Sequence, residues 1–192
     1  AVFGSSRKAL ERSRGQENRA RNWLQSARGA LEFRGTDEEA LECLHRATKE
    51  VLAMESWQGD SSEHIQVDTL LKIASRMLEI GYQPEALQVL ERAMGVMKEF
   101  HIGYSKWDVW PKLLKLLKRL DDDDMKFRSL LLAQYVDKDW RARVISWVVE
   151  VIAPVVPRRP RQTTQAIGVL LEQALQQGRE EVWKCIEALA PL

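Results

Sequence analysis

DTLLKIASRMLEIGYQPEALQVLERAMGVMKEF, residues 68–100, reads as two amphipathic helices joined by a tight turn. Leu70, Ile73, Ala74 and Met77 recur at i, i+3, i+4 and i+7, which is one face of a helix. Gly81 ends that helix, because a residue without a Cβ enters the left-handed region at no steric cost. Pro84 follows where a new helix starts and a missing N–H costs nothing. The second half carries Ala86, Leu87, Leu90, Ala93, Met94 and Met97 on one stripe. Small side chains on that stripe let two antiparallel backbones come close. The stretch therefore predicts a helical hairpin, the unit from which solenoids are stacked.

A weaker copy lies upstream. Trp23, Leu24, Ala27, Ala30 and Leu31 form a stripe that stops at Gly35, and Thr36 to Glu39 spells a capping box. The next helix carries Ala40, Leu41, Leu44, Ala47, Val51 and Leu52. Gly35 and Gly81, Glu39 and Glu85, Ala40 and Ala86, Leu44 and Leu90, and Ala47 and Ala93 are all 46 residues apart. Five coincidences of type at one offset mark an internal repeat. Its surplus over the usual repeat of about 34 residues falls in the second helix and in the polar connector 58–62. Asp60 is placed to cap the helix after that connector, with Glu63 three residues on. Ahead of everything stands a basic lead-in, 1–16, where a short helix over 6–13 is expected to break near Gly15.

Downstream, Ser105 to Asp108 repeats the capping pattern, and Trp107, Trp110, Leu113, Leu114, Leu117 and Leu120 make the next apolar face. Asp121 to Asp124 ends one helix and caps another over 125–136. A further helix opens at 137–139, carries Trp140, Val144, Trp147, Val148 and Val151, and ends at Pro154 and Pro157. Thr163 or Thr164 is the expected cap of the next, with Ile167, Leu170, Leu171, Ala174 and Leu175 as its stripe and Gly178 as its stop. Trp183, Ile186 and Leu189 start the last. The segment EVIAP at 150–154 recurs as EALAP at 187–191, an offset of 37.

Leu70, Ile73, Ala74, Gly81, Glu85, Ala86, Leu90 and Ala93 together resemble the tetratricopeptide-type helical repeat. Ala74 stands in for that family's first Gly and Leu90 for its aromatic, while the Pro that should follow the second helix is absent. The resemblance implies an all-α, right-handed solenoid of antiparallel helix pairs, about nine helices long. It implies one domain over 1–192, with repeats near 17–57, 61–101, 105–136 and 138–177 and a partial one at 179–192. Looser arrays of this kind also resemble the sensor segments of bacterial signalling ATPases. The chain begins with Ala1, as an excised piece of a longer regulatory protein would.

Composition narrows the function classes. Lys and Arg total 29 against 28 Asp and Glu, so no overall charge draws the chain to nucleic acid or membrane. The apolar runs are too short to span a bilayer, and no signal segment opens the chain. Cys43 and Cys185 are expected as buried thiols in a reducing, cytoplasmic compartment. His45, His64 and His101 lack the spacing of a metal site, and Asp121 to Asp124 lacks the spaced ligands of a calcium loop. No phosphate loop, nucleophile elbow or metalloprotease motif is present, so neither an enzyme nor a cofactor is expected.

What remains is binding of a protein or peptide. The resemblance implies that the first helix of each hairpin lines the inner face. Leu71, Ser75 and Leu78 form a second stripe there; the matching positions are Gln25, Gly29 and Glu32 one hairpin earlier, and Leu114 and Lys118 one hairpin later. Such a surface suits an extended or helical peptide with apolar anchors and an acidic end. The alternative is that Leu71 and Leu78 merely pack on the neighbouring hairpin. The rival function is nucleic-acid binding by the basic helices between Arg7 and Arg34, which hold eight Lys or Arg against three Glu.

Overall fold

The computed structural model describes residues 2–32, 36–54, 62–99 and 108–192, with side chains placed from residue 15 onward. Nine α-helices and no strand occur among the described residues. The fold is all-α, as expected. Consecutive helices pack on one another within each of two compact units, Ala1–Val96 and Met97–Leu192, in the manner of a helical solenoid.

In the first unit, α1 (Val2–Glu32) is a single helix, and the expected break near Gly15 does not occur. A glycine inside a helix costs about 1 kcal/mol relative to alanine. Contacts made immediately afterwards offset it: Gln16 donates to the Ala53 carbonyl at 2.8 Å, and Arg19 pairs with Glu50 at 2.9 Å. Both reach across to α2 (Asp37–Leu52), and Arg46 of α2 lies over the Trp23 ring at 4.7 Å. The partners 16–53, 19–50 and 23–46 run in opposite directions at a constant register, so α1 and α2 are an antiparallel pair. The predicted capping box starts α2. Glu39 N–H donates to Thr36 Oγ1 and Thr36 N–H donates to Glu39 Oε2, each at 3.1 Å. At the other end of α2, buried Gln66 donates to the Val51 carbonyl at 3.0 Å. Helix ends leave carbonyls short of intrahelical partners; α1 supplies a donor to Ala53, and α3 adds one to Val51, which also accepts from Met54 N–H at 3.1 Å.

Helices α3 (Ser62–Glu79) and α4 (Gln83–Glu99) form the quoted hairpin. Gly81 takes φ +84°, Tyr82 N–H donates to the Met77 carbonyl at 2.9 Å, and Gly81 N–H donates to the Leu78 carbonyl at 3.3 Å. These are the two bonds of a Schellman stop. The 46-residue repeat holds on the buried face: Ala40, Leu44 and Ala47, and likewise Ala86, Leu90 and Ala93, are wholly buried. It does not extend to the cap, because α4 is entered through the Gly81 turn and Pro84 rather than through a capping box. The connector 58–62 and the proposed caps Asp60 and Ser105 lie outside the described residues or at their edge.

In the second unit the helices are α5 (Val109–Arg119), α6 (Asp123–Leu132), α7 (Lys138–Ile152), α8 (Pro160–Gln177) and α9 (Arg179–Leu189). α5 packs on α7 and α7 on α9, while α6 packs on α7 and α8. First helices thus contact first helices and second contact second, which is the layering of stacked hairpins. Within the run expected to cap α6, it is Asp122 that does so, its Oδ1 accepting from Met125 N–H at 2.7 Å. Several expectations fail, among them the burial of the stripe residues Leu175 and Ile186, which are 64% and 39% exposed. Thr163 and Thr164 do not cap α8. Their hydroxyls donate to the Arg159 and Pro160 carbonyls inside the helix, because Pro160, with φ already fixed, starts it earlier. Trp183 is not on the buried stripe of α9 and is 66% exposed; Glu181, Cys185, Ala188 and Leu189 face inward instead.

Candidate functional site

Leu114 and Lys118, the two stripe residues from the third hairpin, meet in one concavity. Pro111, Leu114, Lys115 and Lys118 follow one another at i, i+3, i+4 and i+7 along α5 and form one wall. Trp147 and Glu150, one turn apart on α7, form the other. The space is about 300 Å³. That is the lower end of the range for ligand pockets and is sized for one or two side chains.

This helix shows three faces for a reason legible in its sequence. Trp110, Leu113, Leu116 and Leu117 are consumed in the core, and Leu114 is buried as well. Lys112, Lys115, Lys118 and Arg119 supply its charge, with no acidic residue in the helix. The groove floor is therefore apolar and its α5 rim basic. Lys118 Nζ reaches Glu150 Oε2 across the groove at 3.5 Å. Both side chains are more than half exposed, so the pair contributes little to stability. Lys115 is exposed and has no ionic partner among the described residues. One turn before Trp147, the Arg143 guanidinium lies 5.4 Å from the Trp147 ring centre and 5.5 Å from that of Trp140. Stacked between two indoles, it is held in place. The periodicity of α7 assigns both tryptophans to packing. Their half-buried state and the intervening arginine are visible only in the fold.

The other stripe residues belong to the first unit. Leu71 is 2% exposed and part of its core, which is the packing alternative for that residue. Ser75 is half-buried and donates to Glu79 Oε1 at 3.2 Å, and Leu78 is half-buried. Gln25 and Glu32 are exposed, the latter bonded to Arg28 at 2.6 Å. Hydrogen bonding to Glu32 raises the Arg28 pKa above its ordinary value.

A second concavity, about 350 Å³, lies between α6 and α8, lined by Phe127, Leu131, Ala166 and Val169 with Gln162, Gln165, Asp124 and Arg128 at its edge. Asp123 and Asp124 are engaged by Arg158 at 2.9 Å and Arg159 at 3.8 Å. Capping by Asp122 and these two ion pairs engage three residues of the acidic run. No group of three or more His, Cys, Asp or Glu side chains converges among the described residues. Along α1, Arg19, Arg21 and Arg28 are each paired with a glutamate. No described helix is long and apolar enough to cross a membrane.

The chain matches no known protein family, no curated protein and no solved structure.

Proposed function

We propose that this chain is a non-enzymatic, tetratricopeptide-like scaffold that binds a protein or peptide partner in the groove between α5 and α7. We read it as a segment of a larger regulatory or signalling protein in a reducing, cytoplasmic setting, with which its two free thiols accord. The observation that carries the reading is the convergence of Leu114 and Lys118 with Trp147 in one groove between consecutive first helices. Solenoids present such grooves because stacking leaves a furrow wherever two neighbouring first helices meet, and helical or extended peptides fill furrows of this width.

Panning a phage-displayed random peptide library on the whole chain tests this. Recurrent peptides should emerge, and their binding should be lost in Trp147→Ala, with the helical circular dichroism signal retained. A library that yields no recurrent peptide, or peptides indifferent to Trp147→Ala, removes the reading. Nucleic-acid binding by α1 has less support at Arg19, Arg21 and Arg28, which already have carboxylate partners.

A further inference from the structure

The groove carries a chemical preference that its geometry makes specific. The cations that line it, Lys115 and Lys118, both stand on the α5 wall. Against them stands one carboxylate, Glu150, and it is bonded to Lys118 across the opening. A neutral peptide entering this space would bury part of the lysines' hydration shells and return nothing to them, which is unfavourable. An anionic one would replace water with charge-assisted hydrogen bonds.

We propose that the partner segment is acidic: a bulky apolar side chain seats on Pro111, Leu114 and Trp147, and flanking carboxylates pair with Lys115 and displace Glu150 from Lys118. This rests on the peptide-binding reading of the same groove and names its ligand chemistry. Glu150 then acts as a built-in competitor. In the empty groove it holds Lys118, and in the filled one it must give way and faces a like charge. An exposed pair at 3.5 Å is weak enough to exchange, so Glu150 tunes affinity without closing the site.

A nucleic-acid strand fits the same features poorly. Base stacking needs open aromatic faces, whereas the Trp140 and Trp147 rings are half-buried and each already carries the Arg143 guanidinium. Glu150 would also sit against the phosphates.

The tightest peptide from the library selection, and the same peptide with its Asp and Glu replaced by Asn and Gln, are titrated against three forms of the whole chain by fluorescence anisotropy. The selected peptide should be acidic beside its apolar residue, and its amide version should bind at least about tenfold more weakly to the parent. Lys115→Glu with Lys118→Glu should weaken the acidic peptide about ten- to thirtyfold and leave the amide version nearly unchanged. Glu150→Gln should tighten the acidic peptide about two- to fivefold, because competitor and repulsion vanish together. All three substitutions fall on exposed side chains. Selected peptides that need Trp147 but are neutral or basic overturn the acidic ligand and spare the groove. Loss of affinity in Glu150→Gln overturns the competitor role. Single-stranded poly(U) that displaces the peptide with Lys115 and Lys118 dependence makes the groove a nucleic-acid site and overturns the proposal.

Discussion

Arg141 is the residue whose importance the sequence conceals. It falls on α7 among apolar neighbours, is 3% exposed, and donates to the Val136 carbonyl at 2.9 Å, the Gln134 carbonyl at 3.3 Å and Gln177 Oε1 at 2.7 Å. Gln173 also donates to the Gln134 carbonyl, at 2.8 Å. The guanidinium thus ties the loop before α7 to α8. Arg141→Met keeps the volume but leaves the Val136 carbonyl buried without a donor. It should cost about 2–4 kcal/mol in urea unfolding of the whole chain; a loss within error would mean that water serves those carbonyls equally well. The thiols differ from each other. Cys185 is buried, and burial, with Glu181 adding to it and Arg141 opposing it, raises its pKa above the usual thiol range. The raised value keeps the thiol protonated near neutral pH, so iodoacetamide should label half-buried Cys43 first and Cys185 only slowly, as read by peptide mass mapping. The same shift has a linked consequence. The stabilisation is full below the unfolded thiol's pKa and is lost as pH rises through the folded value, because the unfolded chain releases its proton first.

At the scale of elements, helix ends decide where the hairpins turn. Gly81 combines positive φ with open space around the position a Cβ would take. Gly81→Ala therefore meets no clash, and its cost is the left-handed backbone alone, about 1–2 kcal/mol by thermal or urea melts. Gly81→Asn should recover part of it, since asparagine tolerates that conformation. Equal losses for the two would place the cost elsewhere than in the backbone. The ends also show how far a sequence repeat can be read. α7 stops at Ile152 and α9 at Leu189, the same 37 residues apart as the EVIAP and EALAP segments. At that offset Trp183 aligns with exposed Ser146 and Cys185 with buried Val148. The repeat assigns Trp183 to the surface, whereas hydrophobicity alone assigns it to the core. Size and apolarity rank a residue for burial, but the phase of the helix decides.

For the whole molecule, the two compact units predict separable folding. Residues 97–192 expressed alone should give a helical circular dichroism spectrum and one cooperative melt, because α5 to α9 bury their apolar faces on one another. A non-cooperative, featureless melt would show that this unit is stable only as part of the longer chain. Local sequence patterns carry the helical class, most helix boundaries, the Gly81 turn, the Thr36 cap, a cap within the run 121–124, and which alanines are buried. Each of these follows from a pattern within a few residues: a 3.6-residue period, a capping side chain, a glycine free to take positive φ. Two stripe residues, Leu114 and Lys118, were also legible as a pair, because they share one face of one helix. Tertiary structure alone decided that Trp147 and Glu150 stand opposite them, that Arg143 is stacked beside the groove, that Leu71 is core, and that Arg141 bridges α7 to α8. Those facts depend on which faces of different helices meet. The partners are separated by tens of residues, and no local period encodes the rotation of one helix against another.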